Sequence, residues 1–270
     1  MTSKSTAPAA QVVGDEVSTA RLFVRTCAAE WTRLWTVKAT WWFAAAAAVT
    51  MVGLGAVAGF DAAGDPTAEG DVAWSASRFT AMPAQFALLA LVLTAVTSDY
   101  ATGGIVPALQ WTPRRGVLFL ARTVVAAGSA TSLGVLLALA SALVGFAAAH
   151  PVLSLPWDEA PDVLGTVAFV FAAGTLLAVG LGFMLRNTAG SLVTVFLVIL
   201  VLPVLLPQFG YTWLTDLADV LAGTNALFLL LGEPTGRGLT ETSAVITMLA
   251  WACGALLLAW LRVMRDDANR

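Results

Sequence analysis

Six long apolar runs, separated by polar stretches, dominate the chain. They lie at about 40–60 (TWWFAAAAAVTMVGLGAVAGF), 80–98 (TAMPAQFALLALVLTAVTS), 117–149, 163–185 (VLGTVAFVFAAGTLLAVGLGFML), 189–206 (AGSLVTVFLVILVLPVLL) and 243–263 (SAVITMLAWACGALLLAWLRV). About 20 apolar residues in a helix cross a bilayer once. Backbone in lipid must satisfy its own hydrogen bonds, and the alternation of barrel strands is absent, so helices are expected. The pattern predicts an all-α polytopic membrane protein, with six transmembrane helices in a domain spanning 39–265. A weaker run, 213–232, carries Asp216, Asp219 and Asn225 and follows Pro203 and Pro207. It reads as an outer-face helix or a re-entrant element within an outer loop at 207–242.

Before the first run, residues 18–38 read STARLFVRTCAAEWTRLWTVK. At 100° per residue, Phe23, Val24, Cys27, Ala28, Trp31, Leu34 and Trp35 share one arc. Arg21, Arg25, Thr32, Arg33 and Thr36 share the other. An apolar face rich in tryptophan beside a basic face predicts an amphipathic helix lying in the membrane interface, its arginines reaching anionic lipid. It is either a passive anchor or a lever joined to the first span. Residues 1–17 are Ser-, Thr- and Ala-rich and are expected to be disordered.

Charge sets the orientation. With six spans, one side holds Lys4, Arg21, Arg25, Arg33, Lys38, Arg114, Arg115, Arg122, Arg186, Arg262, Arg265 and Arg270, and the other holds Arg78 and Arg237. This bias predicts cytoplasmic termini and a multi-pass protein of the bacterial cell membrane. Acids collect in the outer loops. A seventh span at 213–232 would break the pattern.

Composition agrees: 59% of residues are hydrophobic and 11% charged, against about 25% charged in soluble domains. Cys27 and Cys253 suggest neither a disulfide framework nor a metal site. The two lysines, Lys4 and Lys38, do not follow glycine, so the nucleotide-binding phosphate loop G-x-x-x-x-G-K-S/T is missing. The span centres carry almost no ionisable groups, so no proton or sodium relay is visible. One histidine, His150, and no G-x-S-x-G argue against a hydrolase or zinc enzyme. No enzyme chemistry and no nucleic-acid partner is expected of this chain. A chain without a motor or an ion relay needs an outside energy source, or none.

That directs attention to the connection between spans two and three, SDYATGGIVPALQWTPRRG at 98–116. Asp99 closes one span. Gly103 and Gly104 permit a sharp turn. IVPALQW can form a short helix presenting Ile105, Leu109 and Trp111. Thr112 suits an N-cap and Pro113 the first helical position, with Arg114 and Arg115 held outside the hydrocarbon. A straight helix from 113 to 149 would be about 55 Å long, so the third span projects, tilts, or kinks near Gly128–Ser129.

The "acid–Tyr–x–Thr–Gly … TPRRG" pattern resembles the first cytoplasmic loop of permease subunits of type-2 ABC exporters. The entry AAEWTRLWTVKATWW, 28–42, resembles a motif common in actinobacterial members. The six-span plan and long last outer loop agree, so the resemblance covers nearly the whole chain. YATGG departs from it, because many relatives carry a basic residue and one glycine there.

The resemblance implies a membrane subunit driven by a separate P-loop ATPase, with ATP and Mg on that partner and no cofactor in this chain. A second permease protomer, identical or not, would complete it. The 18–38 helix would be the elbow helix, with Arg21, Phe23, Arg25, Trp31, Arg33 and Trp35 in the interface. The 99–116 loop would carry the coupling helix, with Asp99, Gly103, Gly104, Leu109, Trp111, Thr112, Pro113, Arg114 and Arg115 as coupling residues. LRNTAG, 185–190, would be a minor contact. Spans two and five would face the partner protomer or pathway with Pro83, Phe86, Thr94, Thr97, Ser191, Thr194, Phe196 and Pro203. That surface suits an amphipathic or hydrophobic cargo. The alternatives are a non-transporting scaffold or sensor that binds a cytoplasmic partner through its basic loop, and a motor-free channel or carrier.

Overall fold

A computed structural model describes residues 18–65, 67–102, 114–232 and 238–265. Among these the chain is helical, apart from connections and one isolated bridge between Val72 and Ser154. The elements are α1 (Thr19–Thr36), α2 (Lys38–Gly64), α3 (Trp74–Thr102), α4 (Arg115–Ala149), α5 (Ala160–Leu185), α6 (Thr188–Phe209), α7 (Thr212–Asp219), α8 (Ala222–Leu231) and α9 (Glu241–Arg265). Six of them, α2–α6 and α9, are long and apolar enough to cross a membrane. They extend past the apolar runs because a helix does not stop where hydrocarbon stops.

The two best-shielded spans are α3 and α5, with 61% and 67% of their most apolar windows buried, against 22–33% for the others. They form the centre, where Leu88, Leu89, Val92 and Leu93 meet Phe171 and Leu177. The remaining spans lie around them with apolar outer faces. Small residues set the closest approach. Hydrophobic collapse does not drive helices together in lipid, so close backbone packing must. A Cβ at Gly55 would lie 2.2 Å from Ser141 Oγ, and one at Gly59 would lie 2.5 Å from the Gly145 carbonyl. Ser141 also donates to the Met51 carbonyl at 2.9 Å.

The long helix α4 runs unbroken through Gly128 and Ser129, with 35 residues, or about 52 Å. It starts at Arg115 with Arg114 as N-cap, two residues later than the Thr112–Pro113 start that the sequence suggests; those two residues lie outside the described ones. The turn from α5 to α6 takes two residues. Arg186 ends α5 in the left-handed region (φ 52°), and the Asn187 side chain caps α6 by accepting from the Gly190 amide at 2.9 Å.

In α6 a π-turn at Leu197–Val201 precedes Pro203, which has no N–H to return to the Ile199 carbonyl. Gly223 of α8 packs against that carbonyl so closely that a Cβ would sit 1.9 Å from it. The segment 213–232 forms α7 and α8, bent by 74°. Its polar residues span the break: Thr224 Oγ1 donates to the Ala218 carbonyl at 2.5 Å, and Asn225 Nδ2 to the Asp219 and Leu221 carbonyls at 2.8 Å each. Trp251 Nε1 reaches the Val220 carbonyl at 2.8 Å. Of the three side chains that argued against a span, Asn225 is spent on helix-end carbonyls, whereas Asp219 Oδ1 is buried without a hydrogen-bond partner.

Candidate functional site

Helix α1 presents Thr26, Glu30 and Leu34 to the bundle, at i, i+4 and i+8. That face packs over the ends of α3 and α4. Glu30 and Arg33 come from α1, Asp99 from the last turn of α3, and Arg122 from two turns inside α4. Arg122 Nη2 donates to Glu30 Oε1 at 2.8 Å and to Asp99 Oδ2 at 2.7 Å, and its Nε to Glu30 Oε2 at 3.2 Å. Arg33 Nη1 donates to Asp99 Oδ1 at 2.6 Å, and its Nη2 to the Ala95 carbonyl at 2.7 Å. Arg33 also lies 3.1 Å from Glu30 Oε2.

Two cations and two anions thus form one neutral set, in which Arg122 Nη1 alone is buried without a hydrogen-bond partner. The Arg122 side chain is 3% exposed, Glu30 10%, Asp99 16% and Arg33 32%. An arginine seven residues into a spanning helix is costly unless paired. The pairing explains why it is tolerated, and why three elements meet at one point. Both Asp99 oxygens and both Glu30 oxygens are engaged, so neither acid is placed as a free base. The arrangement ties α1 to the two helices that flank residues 103–113.

Gly103, Gly104, Leu109, Trp111, Thr112 and Pro113 lie outside the described residues. Of the other coupling candidates, Asp99 joins the ion network. Arg114 donates to the Thr19 hydroxyl at the start of α1, and Arg115 to the Val263 carbonyl at 3.4 Å. On α1, Arg21, Arg25 and Trp31 are exposed, while Phe23 and Trp35 are half-buried. Trp35 packs between Trp31 and Trp41, with ring centroids 5.7 and 5.4 Å apart. Arg33 is the exception: it faces the protein rather than lipid, because Asp99 offers a charge partner there.

The suggested pathway or dimer face also divides. Pro83 and Phe196 are exposed, and Phe86 and Thr194 are half-buried; Phe86 and Phe196 meet edge to face at 5.6 Å. Thr94 lines a cavity of about 100 Å³ beneath the α1–α2 junction. Pro203, Thr97 and Ser191 are buried within the chain. Thr97 donates to the Leu93 carbonyl at 2.6 Å and meets the Thr188 hydroxyl at 2.6 Å. It therefore stitches α3 to α6 and presents nothing outward.

Sequence reasoning missed Glu30 and Arg122 as site residues. Both left a signal: Glu30 is the one acid in the 18–38 segment, and Arg122 interrupts an apolar run. Comparison with known proteins finds no matching family model and no matching curated protein.

Proposed function

We propose that the chain is the membrane-spanning permease subunit of an ATP-driven exporter, with hydrolysis on a separate P-loop ATPase docked at residues 99–116. The observation that carries this reading is the Glu30–Arg122–Asp99–Arg33 network. A push on the 103–113 connection would act on α3 and α4 together, and the network would pass it to α1. The loop and entry motifs supply the family resemblance, and the arginine bias supplies cytoplasmic termini.

The exposed apolar faces of α3 and α6, including Phe79, Pro83, Val193 and Phe196, suit a second protomer. Their sparse hydroxyls suit an amphipathic or hydrophobic cargo. The test is affinity purification of the C-terminally tagged chain from its native host in mild detergent, with an ATPase assay. A co-purifying P-loop ATPase, lost when Arg114 and Arg115 become Glu, supports the reading. A lone oligomer without nucleotide hydrolysis refutes it and favours a scaffold.

A further inference from the structure

At the end of the bundle opposite α1, a pocket of about 300 Å³ opens between the first turns of α3 and α5 and the last turn of α8. Its wall combines Trp74 and Arg78 of α3, Glu159 and Val163 at the start of α5, and Leu230 and Leu231 of α8. Among the described residues, Arg78 is the one Lys or Arg at this end, which is otherwise acidic. Asp162 Oδ2 accepts from Arg78 Nη2 at 2.9 Å and orients the guanidinium. Nε is itself buried without a hydrogen-bond partner, while a third of the side chain as a whole remains exposed. The terminal N–H groups that Asp162 leaves over can donate to a phosphate.

Three further features narrow the ligand. Glu159 is exposed on the same pocket, so an ammonium group on the ligand would find a carboxylate. Val163 and Leu230 are buried, and Leu231 is 41% exposed, giving a hydrocarbon wall that continues to the outside of the bundle. The depth is that of a headgroup. Arg78 lies one turn inside α3, beside the Trp74–Trp157 pair with centroids 6.1 Å apart, and such aromatic residues mark the membrane–water boundary.

We propose that this pocket binds a zwitterionic phospholipid with a primary ammonium headgroup, of the phosphatidylethanolamine type. The phosphate sits on Arg78, the ammonium on Glu159, and an acyl chain runs along Val163 and Leu231. A choline headgroup cannot donate a hydrogen bond from its nitrogen to Glu159. An anionic glycerol headgroup leaves Glu159 without a cation. The site needs no ATPase and stands apart from the exporter reading.

The experiment is native mass spectrometry of the full chain, released from detergent with equal amounts of dioleoyl phosphatidylethanolamine, phosphatidylcholine or phosphatidylglycerol. The ethanolamine lipid is expected to bind about tenfold more tightly than the other two, and R78Q to remove about tenfold of that affinity. E159Q should abolish the preference for ethanolamine over choline while phosphate-dependent binding remains. Glu159 is exposed, so E159Q keeps the proposal testable if R78Q does not fold. Equal binding of all three lipids, or unchanged preference in E159Q, overturns it. Glycerophosphoethanolamine, the headgroup without chains, should compete poorly. Competition equal to that of the lipid would overturn the lipid assignment in favour of a soluble phosphorylated amine.

Discussion

Arg122→Met is the most informative single change in this chain. It keeps the length and apolar stem of the side chain and removes the charge. Three hydrogen bonds to two carboxylates are lost. Arg33 remains, 2.6 Å from Asp99 and 3.1 Å from Glu30, but one cation then faces two anions in a site where Arg122 was 3% exposed. Removing one partner of a buried pair costs about 3–5 kcal/mol, because the other charge is left uncompensated. At about 2–4 °C per kcal/mol for a protein of this size, the melting temperature should fall by about 6–20 °C.

The assay is thermal unfolding in a fixed detergent, followed by helical circular dichroism. The second arm restores neutrality: E30Q/R122M should recover a substantial part of the loss, since a replaced buried pair is often near neutral. The coupling between the two sites should exceed about 1 kcal/mol in the double-mutant cycle. Arg33→Met should cost less, because its side chain is a third exposed and solvent screens it. An Arg122→Met protein melting within 2 °C of wild type, or a double variant no better than the single, would show that the network is not what holds α1 to the bundle.

Other predictions rest on local geometry. Gly223→Ala places a methyl 1.9 Å from the Ile199 carbonyl and should cost about 1–3 kcal/mol by overpacking, seen as a lower melting temperature. Gly254→Ala meets nothing within 4 Å and should be neutral, or stabilising by up to about 1 kcal/mol through helix propensity; equal effects of the two changes would contradict the packing at the α6–α8 contact. Burial, and then the Glu30 carboxylate, push the Cys27 thiol above its ordinary value of 9.0. Only the thiolate reacts, so in a Cys253→Ser background maleimide labelling should be slow at neutral pH and keep rising beyond pH 9. Glu30→Gln should speed it, and labelling at pH 7 as fast as a free cysteine peptide would refute the shift.

Much of the architecture is legible one residue at a time. Apolar run length predicts six spans because lipid demands about 30 Å of satisfied backbone. The Trp31, Trp35 and arginine pattern predicts α1 because a helix has a fixed angular period. The bent pair α7–α8 is half legible: Asp219 and Asn225 show that 213–232 is no ordinary span, but not that Asn225 would turn back to the Asp219 and Leu221 carbonyls. The buried stitch between Thr97 and Thr188 is illegible, since helical rotation decides whether a hydroxyl faces inward or outward.

By itself, then, the sequence determined the number and type of elements, and the bias of arginines toward one side of the bundle and of most acids toward the other. Those properties follow from hydrophobicity and charge counted along the chain. Only the tertiary structure decided that Glu30, Arg33, Asp99 and Arg122 would meet, and that Arg78, Glu159 and Leu231 would share a pocket. The partners are 66 and 92 residues apart in the first case, and no local period carries such a distance. Their meeting depends on the rotation and stagger of packed helices, which small residues such as Gly55, Gly59 and Gly223 set by allowing backbones to touch.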